Sequence, residues 1–142
     1  MLVVIDTNEL LRMASASDMS PLFAAWRAGR FDLALSNELL AEMRDAADKP
    51  RVRRFLSAVR LQRFIGVAIE EAIFVEPALS FPHCRDPKDD VVIATAVAAH
   101  AGYIVTNDED LHEAALAARL RDEGGIQAVW PNEFIEVLSS GQ

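Results

Sequence analysis

Four carboxylates stand where a chain of alternating strands and helices would bring them together. Asp6 directly follows the apolar run Leu-Val-Val-Ile at residues 2–5, and Asp108 comes just after the apolar Tyr-Ile-Val at 103–105. Asp89 opens a helical stretch behind a proline-containing loop, and Glu42 lies about one turn into the helical stretch that follows residues 31–35. Like charges gathered in a cleft repel and raise one another's pKa, which is costly unless a cation neutralises them. Mg²⁺ and Mn²⁺ prefer such hard oxygen ligands. A metal held by Asp6, Asp89 and Asp108 would lower the pKa of a bound water and stabilise charge on a phosphoryl oxygen. A second ion about 3.5–4 Å away would clamp the leaving oxygen. The chemistry open to such a cluster is phosphodiester hydrolysis. Taken singly, each acid also has a plainer use. Asp6 would serve as a turn residue, Asp89 as negative charge at a helix N-terminus, Asp108 as an N-cap, and Glu42 as a solvated helix residue. Asp86 and Asp90 compete with Asp89 for the same role.

The elements that must position these acids follow from apolar periodicity. Residues 2–5 read as a strand buried on both faces. Leu10, Leu11 and Ala14 recur at helical spacing, and 21–28 is a helix ended by Gly29. A strand follows at 31–35, and Ser36 caps a helix carrying Leu39, Leu40 and Met43. Pro50 starts a helix expected to run to about Arg63, with a further helix near Ala68 leading into a strand at 73–75. Residues 76–88, with three prolines, form a loop. Asp89 and Asp90 open a helix that continues to His100 and is broken by Gly102; a strand at 103–105, a helix over 108–122, a strand at 126–129 and a helix from Pro131 complete the chain. This alternation predicts an α/β fold, a three-layer α/β/α sandwich around a parallel sheet of about five strands, in a single domain spanning 1–142. In such sheets the ligand crevice lies at the carboxyl ends of the strands, where Asp6 and Asp108 fall.

The chain has 142 residues, of which 51% are hydrophobic and 25% charged, which excludes a disordered segment and suffices for a sizeable core. No apolar run approaches the roughly 20 residues of a membrane span, and the N-terminus lacks the features of a signal peptide. The single cysteine, Cys84, cannot form an internal disulfide and fits a reducing cytoplasm as an incidental loop thiol. A net charge of −8 speaks against a nucleic-acid partner. Its distribution moderates that: Arg51, Arg53 and Arg54, with Arg60 and Arg63, form a local basic patch that would serve RNA or simply a solvated helix face.

Other chemistries lack their signatures. There is no phosphate-binding glycine loop, dinucleotide fingerprint or nucleophile elbow. His83, His100 and His112 lack zinc-ligand spacing. Trp26 and Trp130 read as packing residues, and Phe31, Phe55 and Phe64 are too scattered for a base-stacking platform. Two alternatives remain open. One is a phosphoacceptor receiver module, which uses an acidic Mg²⁺ pocket but wants a lysine after a late strand, where this chain has Thr106-Asn107-Asp108 and Trp130-Pro131. The other is the same fold without catalysis, as a binding module.

The motifs resemble those of the PIN-domain family across nearly the whole chain. Val-Val-Ile-Asp6-Thr7-Asn8 looks like the first motif and Leu35-Ser36-Asn37-Glu38-Leu39-Leu40-Ala41-Glu42 like the second. The stretch Asp86-Pro87-Lys88-Asp89-Asp90-Val91-Val92-Ile93-Ala94-Thr95-Ala96 looks like the third, and Ile104-Val105-Thr106-Asn107-Asp108-Glu109-Asp110-Leu111 like the fourth. The resemblance implies Asp6, Glu42, Asp89 and Asp108 as an acidic quartet. It prefers Asp89 to Asp90 from its spacing to Ile93 and Ala96, has Asn8 and Thr106 orient the ligands, and makes Asp110 a fifth or structural acid. The Asp-Pro-Lys-Asp-Asp form is similar to a subgroup of VapC-like toxins. That implies a Mg²⁺- or Mn²⁺-dependent endoribonuclease acting on single-stranded RNA, a homodimer, and inhibition by a partner antitoxin. One departure is Asn107, where the subgroup more often has a small residue such as Gly.

Overall fold

The computed structural model describes residues 1–16, 19–77 and 87–141, and for residues 87–90 the backbone alone. In chain order the elements are β1 (Leu2–Ile5), α1 (Thr7–Ala16), α2 (Pro21–Arg27), β2 (Asp32–Leu35), α3 (Asn37–Ala47), α4 (Pro50–Arg53), α5 (Ala58–Glu71), β3 (Ile73–Phe74), α6 (Pro87–Ala99), β4 (Tyr103–Val105), a 3₁₀ turn (Glu109–His112), α7 (Ala114–Gly124), β5 (Gln127–Val129) and α8 (Pro131–Ser140).

The five strands form one parallel sheet in the order β3-β2-β1-β4-β5. Val3, Val4 and Ile5 are fully buried, as are Leu33, Ala34 and Leu35 of β2 and Ile104 and Val105 of β4. A central strand covered on both faces must be apolar throughout, which is why these runs do not alternate. From β1 the chain steps outward to β2 and β3, then returns to β4 on the other side of β1. Right-handed crossovers therefore put α1–α5 on one face and α6 and α7 on the other, a three-layer α/β/α sandwich. Helix α6 lies against β1, β2 and β4, and Val92 through Ala96 are all buried, as a helix apolar on every side requires.

The reversal between β1 and β4 is the switch point at which open α/β sheets hold ligands. Register makes it specific. Ile5 pairs with Val105, and Val105 with Val129. The next residues out, Asp6, Thr106 and Trp130, therefore stand level at the carboxyl edge, with Asp6 N–H donating to the Val105 carbonyl at 3.0 Å and Thr106 N–H to that of Val129 at 3.0 Å. The order also differs from the 2-1-3-4-5 order of receiver modules, which removes that alternative.

Several boundaries differ from expectation, each for a local reason. The helix expected over 50–63 is two helices, because Ser57 caps a fresh start by accepting from Arg60 N–H at 3.2 Å, while Leu56 turns into the core. The further helix expected near Ala68 is the end of α5. The helix expected over 108–122 is a 3₁₀ turn followed by α7, whose N-terminus is capped by Glu113 accepting from Ala115 and Leu116. Helix α6 begins at Pro87 and so places Asp89 and Asp90 inside its first turn rather than at its opening. It ends before His100, which adopts φ 53° and closes the helix in the left-handed region in place of Gly102. The strands of 31–35, 73–75 and 126–129 are each shorter by one residue, and α2 ends at Arg27 with Ala28 as its cap.

Candidate active site

Asp6 is held at the mouth of the β1–β4 crevice and is only 6% exposed. Its Oδ1 accepts from the backbone N–H of Asn8 at 2.8 Å, a tie that starts α1. Its Oδ2 accepts from the hydroxyl of Thr106, a residue buried completely. The same Thr106 Oγ1 accepts the backbone N–H of Asp108 at 2.9 Å. One hydroxyl thus bridges one acid and the backbone that carries the other. Asp108 Oδ1 accepts from Asp110 N–H at 3.0 Å, so Asp108 also caps the 3₁₀ turn.

Burial pushes the Asp6 carboxyl above its ordinary value; the bonds from Thr106 and Asn8 pull it down, the charge of Asp108 pushes it up and Arg12 lowers it. Desolvation is the largest effect, as expected for a carboxylate withdrawn from water. Among the described residues Asp6 makes no ion pair, and the neighbouring Thr7 Oγ1 is buried without a hydrogen-bond partner.

Asp6 and Asp108 share a cavity of about 390 Å³ with Thr7, Asn8, Glu42, Asp45, Ala46, Lys49, Arg51 and Val92. Glu42, Asp45 and Ala46 lie on one face of α3, and Lys49, just past the end of that helix and at the start of α4, continues the same wall. Helix α3 is fixed by its cap: Ser36 accepts from Leu39 N–H at 3.1 Å and meets Thr95 Oγ1 of α6 at 2.8 Å, while Thr95 donates to the Val91 carbonyl at 2.7 Å. The cap therefore locks together the helix carrying Glu42 and the helix carrying Asp89.

Of the residues singled out from sequence, Asp6, Asn8, Glu42, Asp108 and Arg51 line this cavity, and Thr106 lies directly beneath it. Arg53 pairs instead with Asp48 at 3.2 Å on the surface; neither it nor Arg54 lines the cavity. Asp110 contributes a backbone donor. Asp86, Cys84 and His83 lie outside the described residues, as do the side chains of Asp89 and Asp90. Among the described residues no three His, Cys, Asp or Glu side chains converge closely enough to hold an ion by themselves. Trp26 packs in an aromatic cluster with Phe23 and Phe64, Phe31 packs on Phe134, and Trp130 stacks on His112 at 3.7 Å.

Sequence reasoning missed Lys49, Asp45 and Thr7 as lining residues, Thr95 as a lock and Glu9 as a buried acid. Lys49 and Asp45 could have been found by extending the Glu42 face one helical turn at a time. Thr95 was marked by being the one polar residue within an apolar run.

The sequence matches the family model of the PIN domain over residues 2–110, most of the chain and all of the segment that builds the cavity. The chain belongs to the PIN-domain family, and its fold is accordingly of the nuclease type within the hydrolases. Comparison with curated proteins finds no match.

Proposed function

We propose that the protein is a Mg²⁺- or Mn²⁺-dependent endoribonuclease that hydrolyses phosphodiester bonds of single-stranded RNA, and that it is the toxin of a toxin–antitoxin pair. The supporting observation is the joining of Asp6 and Asp108 through Thr106 in a cavity that also receives Glu42. The donor chemistry fits a divalent cation: the set is hard carboxylate oxygen, Asp6 is buried, and among the described residues it has no ion pair and Thr7 Oγ1 beside it has no hydrogen-bond partner. Mg²⁺ is commonly held by one or two carboxylates plus waters and substrate phosphate, so a closed ring of protein ligands is not required. In this reading Asp6 and Asp108 are the principal ligands, joined by Asp89 from α6, one helical turn before the cavity-lining Val92, with Glu42 acting from the opposite wall. When bound, the metal supplies an acidified water and charge neutralisation at phosphorus.

The chain's own residues do the rest. Thr106 and the Asn8 amide orient the two oxygens of Asp6. Lys49 and Arg51 attract the phosphodiester backbone past an otherwise acidic protein. The toxin role brings further expectations: a homodimer, a cognate antitoxin and a cytoplasmic setting. Among the described residues no helix is long and apolar enough to cross a membrane. The test is cleavage of a mixed single-stranded RNA set with and without Mn²⁺, using Asp6→Asn as control. Cleavage that survives the substitution or EDTA would contradict the proposal.

A second reading is a catalytically inert PIN-like binding module, favoured by the net charge of −8. Calorimetric titration with Mn²⁺ separates the two, because an inert module has no reason to take up the ion.

A further inference from the structure

Glu9 is a carboxylate with no evident place beside an acidic cavity. It is 4% exposed and stands three residues from Asp6, and a carboxylate so far withdrawn from water needs partners to hold its charge. Its Oε2 accepts two hydrogen bonds, from Arg12 NH1 at 2.7 Å and from Asn107 Nδ2 at 2.7 Å. Arg12 offsets the charge, and a buried carboxylate left without such partners is strongly unfavourable. Asn107 is the informative partner, because it sits between Thr106 and Asp108. Each residue of this segment is pinned from a different direction. Thr106 is fixed by β5 through the Val129 carbonyl and by Asp6. Asp108 is fixed by its N–H on Thr106. Asn107 is fixed by Glu9 from α1. The same helix holds Asp6 through the Asn8 amide, so α1 grips both acid-bearing segments within two consecutive residues. This also gives a physical reason for Asn at a position where a small residue would leave the segment free of α1.

We propose that Glu9 and Asn107 are positioning residues of the candidate active site, a side-chain latch that sets Asp108 against Asp6. This rests on reading the cavity as a metal-dependent site. Neither residue touches substrate or metal in this account; the latch acts on where Asp108 sits.

The latch predicts a specific pattern across variants. Glu9→Ala and Asn107→Ala each weaken Mn²⁺ affinity about tenfold, the lower end of the loss on removing an outer partner of a ligand. The double variant is no worse than either single one, because both remove the same interaction. Glu9→Gln keeps an amide oxygen for Asn107 and binds Mn²⁺ nearly as the parent does. Asn107→Asp sets two carboxylates together and is the most damaged. Glu9→Gln combined with Asn107→Asp restores a donor and an acceptor, and with them the affinity.

Two readouts on the full chain carry the test: calorimetry with Mn²⁺ alone, and hydrogen exchange of the Asp108 amide against amides of α8. Glu9→Ala speeds exchange at Asp108 about tenfold, within the coupling range of residues sharing a network, and leaves α8 unchanged. Additive losses, failure of the swap to restore affinity, or an Asp108 amide indifferent to Glu9 would overturn the latch. If the parent protein takes up no Mn²⁺ while the exchange pattern holds, the nuclease reading falls and the latch remains as a structural tie.

Discussion

Replacing Thr106 with valine is the sharpest perturbation of the site, because it removes one hydroxyl and almost no volume. Thr106 is fully buried, so no water stands ready to replace the lost group. The hydroxyl donates to Asp6 Oδ2 and accepts Asp108 N–H at 2.9 Å. A hydrogen bond to a charged group contributes about 1.5–3 kcal/mol, and a stranded donor adds a penalty of about 1 kcal/mol where it is half-exposed. The methyl gained in place of the hydroxyl returns about 0.8 kcal/mol. The net loss is about 2–3 kcal/mol, which for a chain of this size lowers Tm by about 8 °C. The loss also depends on pH. Burial already raises the Asp6 pKa, and the Thr106 bond opposes that rise, so the variant's folded pKa lies higher still. A group whose folded pKa is raised stabilises fully below its unfolded value and loses that contribution as pH rises through the folded value. The gap between Thr106→Val and the parent therefore widens from acid toward neutral pH. Thr106→Ser, which keeps the hydroxyl, loses only the methyl contact and shows no such widening. The assay is thermal unfolding of all three in EDTA from pH 4 to 8. A valine variant as stable as the parent, or one whose deficit is the same at every pH, would refute the bridging role.

Four further outcomes follow. Asp6→Asn in EDTA melts above the parent at neutral pH, because it removes a buried charge facing Asp108; the difference shrinks toward the ordinary carboxylate pKa of 3.8, and scanning calorimetry across pH reads it. In the same proteins, Mn²⁺ at about 100 times its Kd stabilises the parent by about 2.7 kcal/mol and the variant little, read as a shift in Tm. Lys49→Ala and Arg51→Ala each raise KM for RNA and reduce the salt slope of binding by about one with kcat near the parent value, whereas Arg53→Ala and Arg54→Ala change little; fluorescence anisotropy over a salt series distinguishes them. Ser36→Ala costs about 2 kcal/mol in urea unfolding, combining a lost N-cap with a lost bond to buried Thr95.

Much of this architecture could be read before any coordinates because its signals are local. Four uninterrupted apolar residues ending in Asp6 specify a buried parallel strand and an acid at its carboxyl end, and the same logic placed Asp108. Ser36 announced α3, and with it the height of Glu42. The errors lie where two local signals competed. Helical propensity across 50–63 concealed the new start at Ser57, and the acids of 108–113 looked like one helix although Glu113 caps a second. The resemblance named Thr106 as orienting the ligands, but the individual bonds that hold the site could not be read from spacing, because they join distant residues. Thr106 lies 100 positions from Asp6 and Asn107 98 from Glu9. Only the pairing of β1 with β4 brings them together, and Glu9, seen as a sequence, is one more polar residue at the start of a helix.

The central claim is that side-chain oxygens from β1 and the β4 exit share one divalent ion. Anomalous diffraction from a crystal soaked in Mn²⁺ addresses it without relying on turnover. The account predicts a single strong site coordinated by Asp6 and Asp108, facing Glu42 and lost in Asp6→Asn. Ordered density for both carboxylates with no Mn²⁺ between them, or a site elsewhere that survives the substitution, would contradict it.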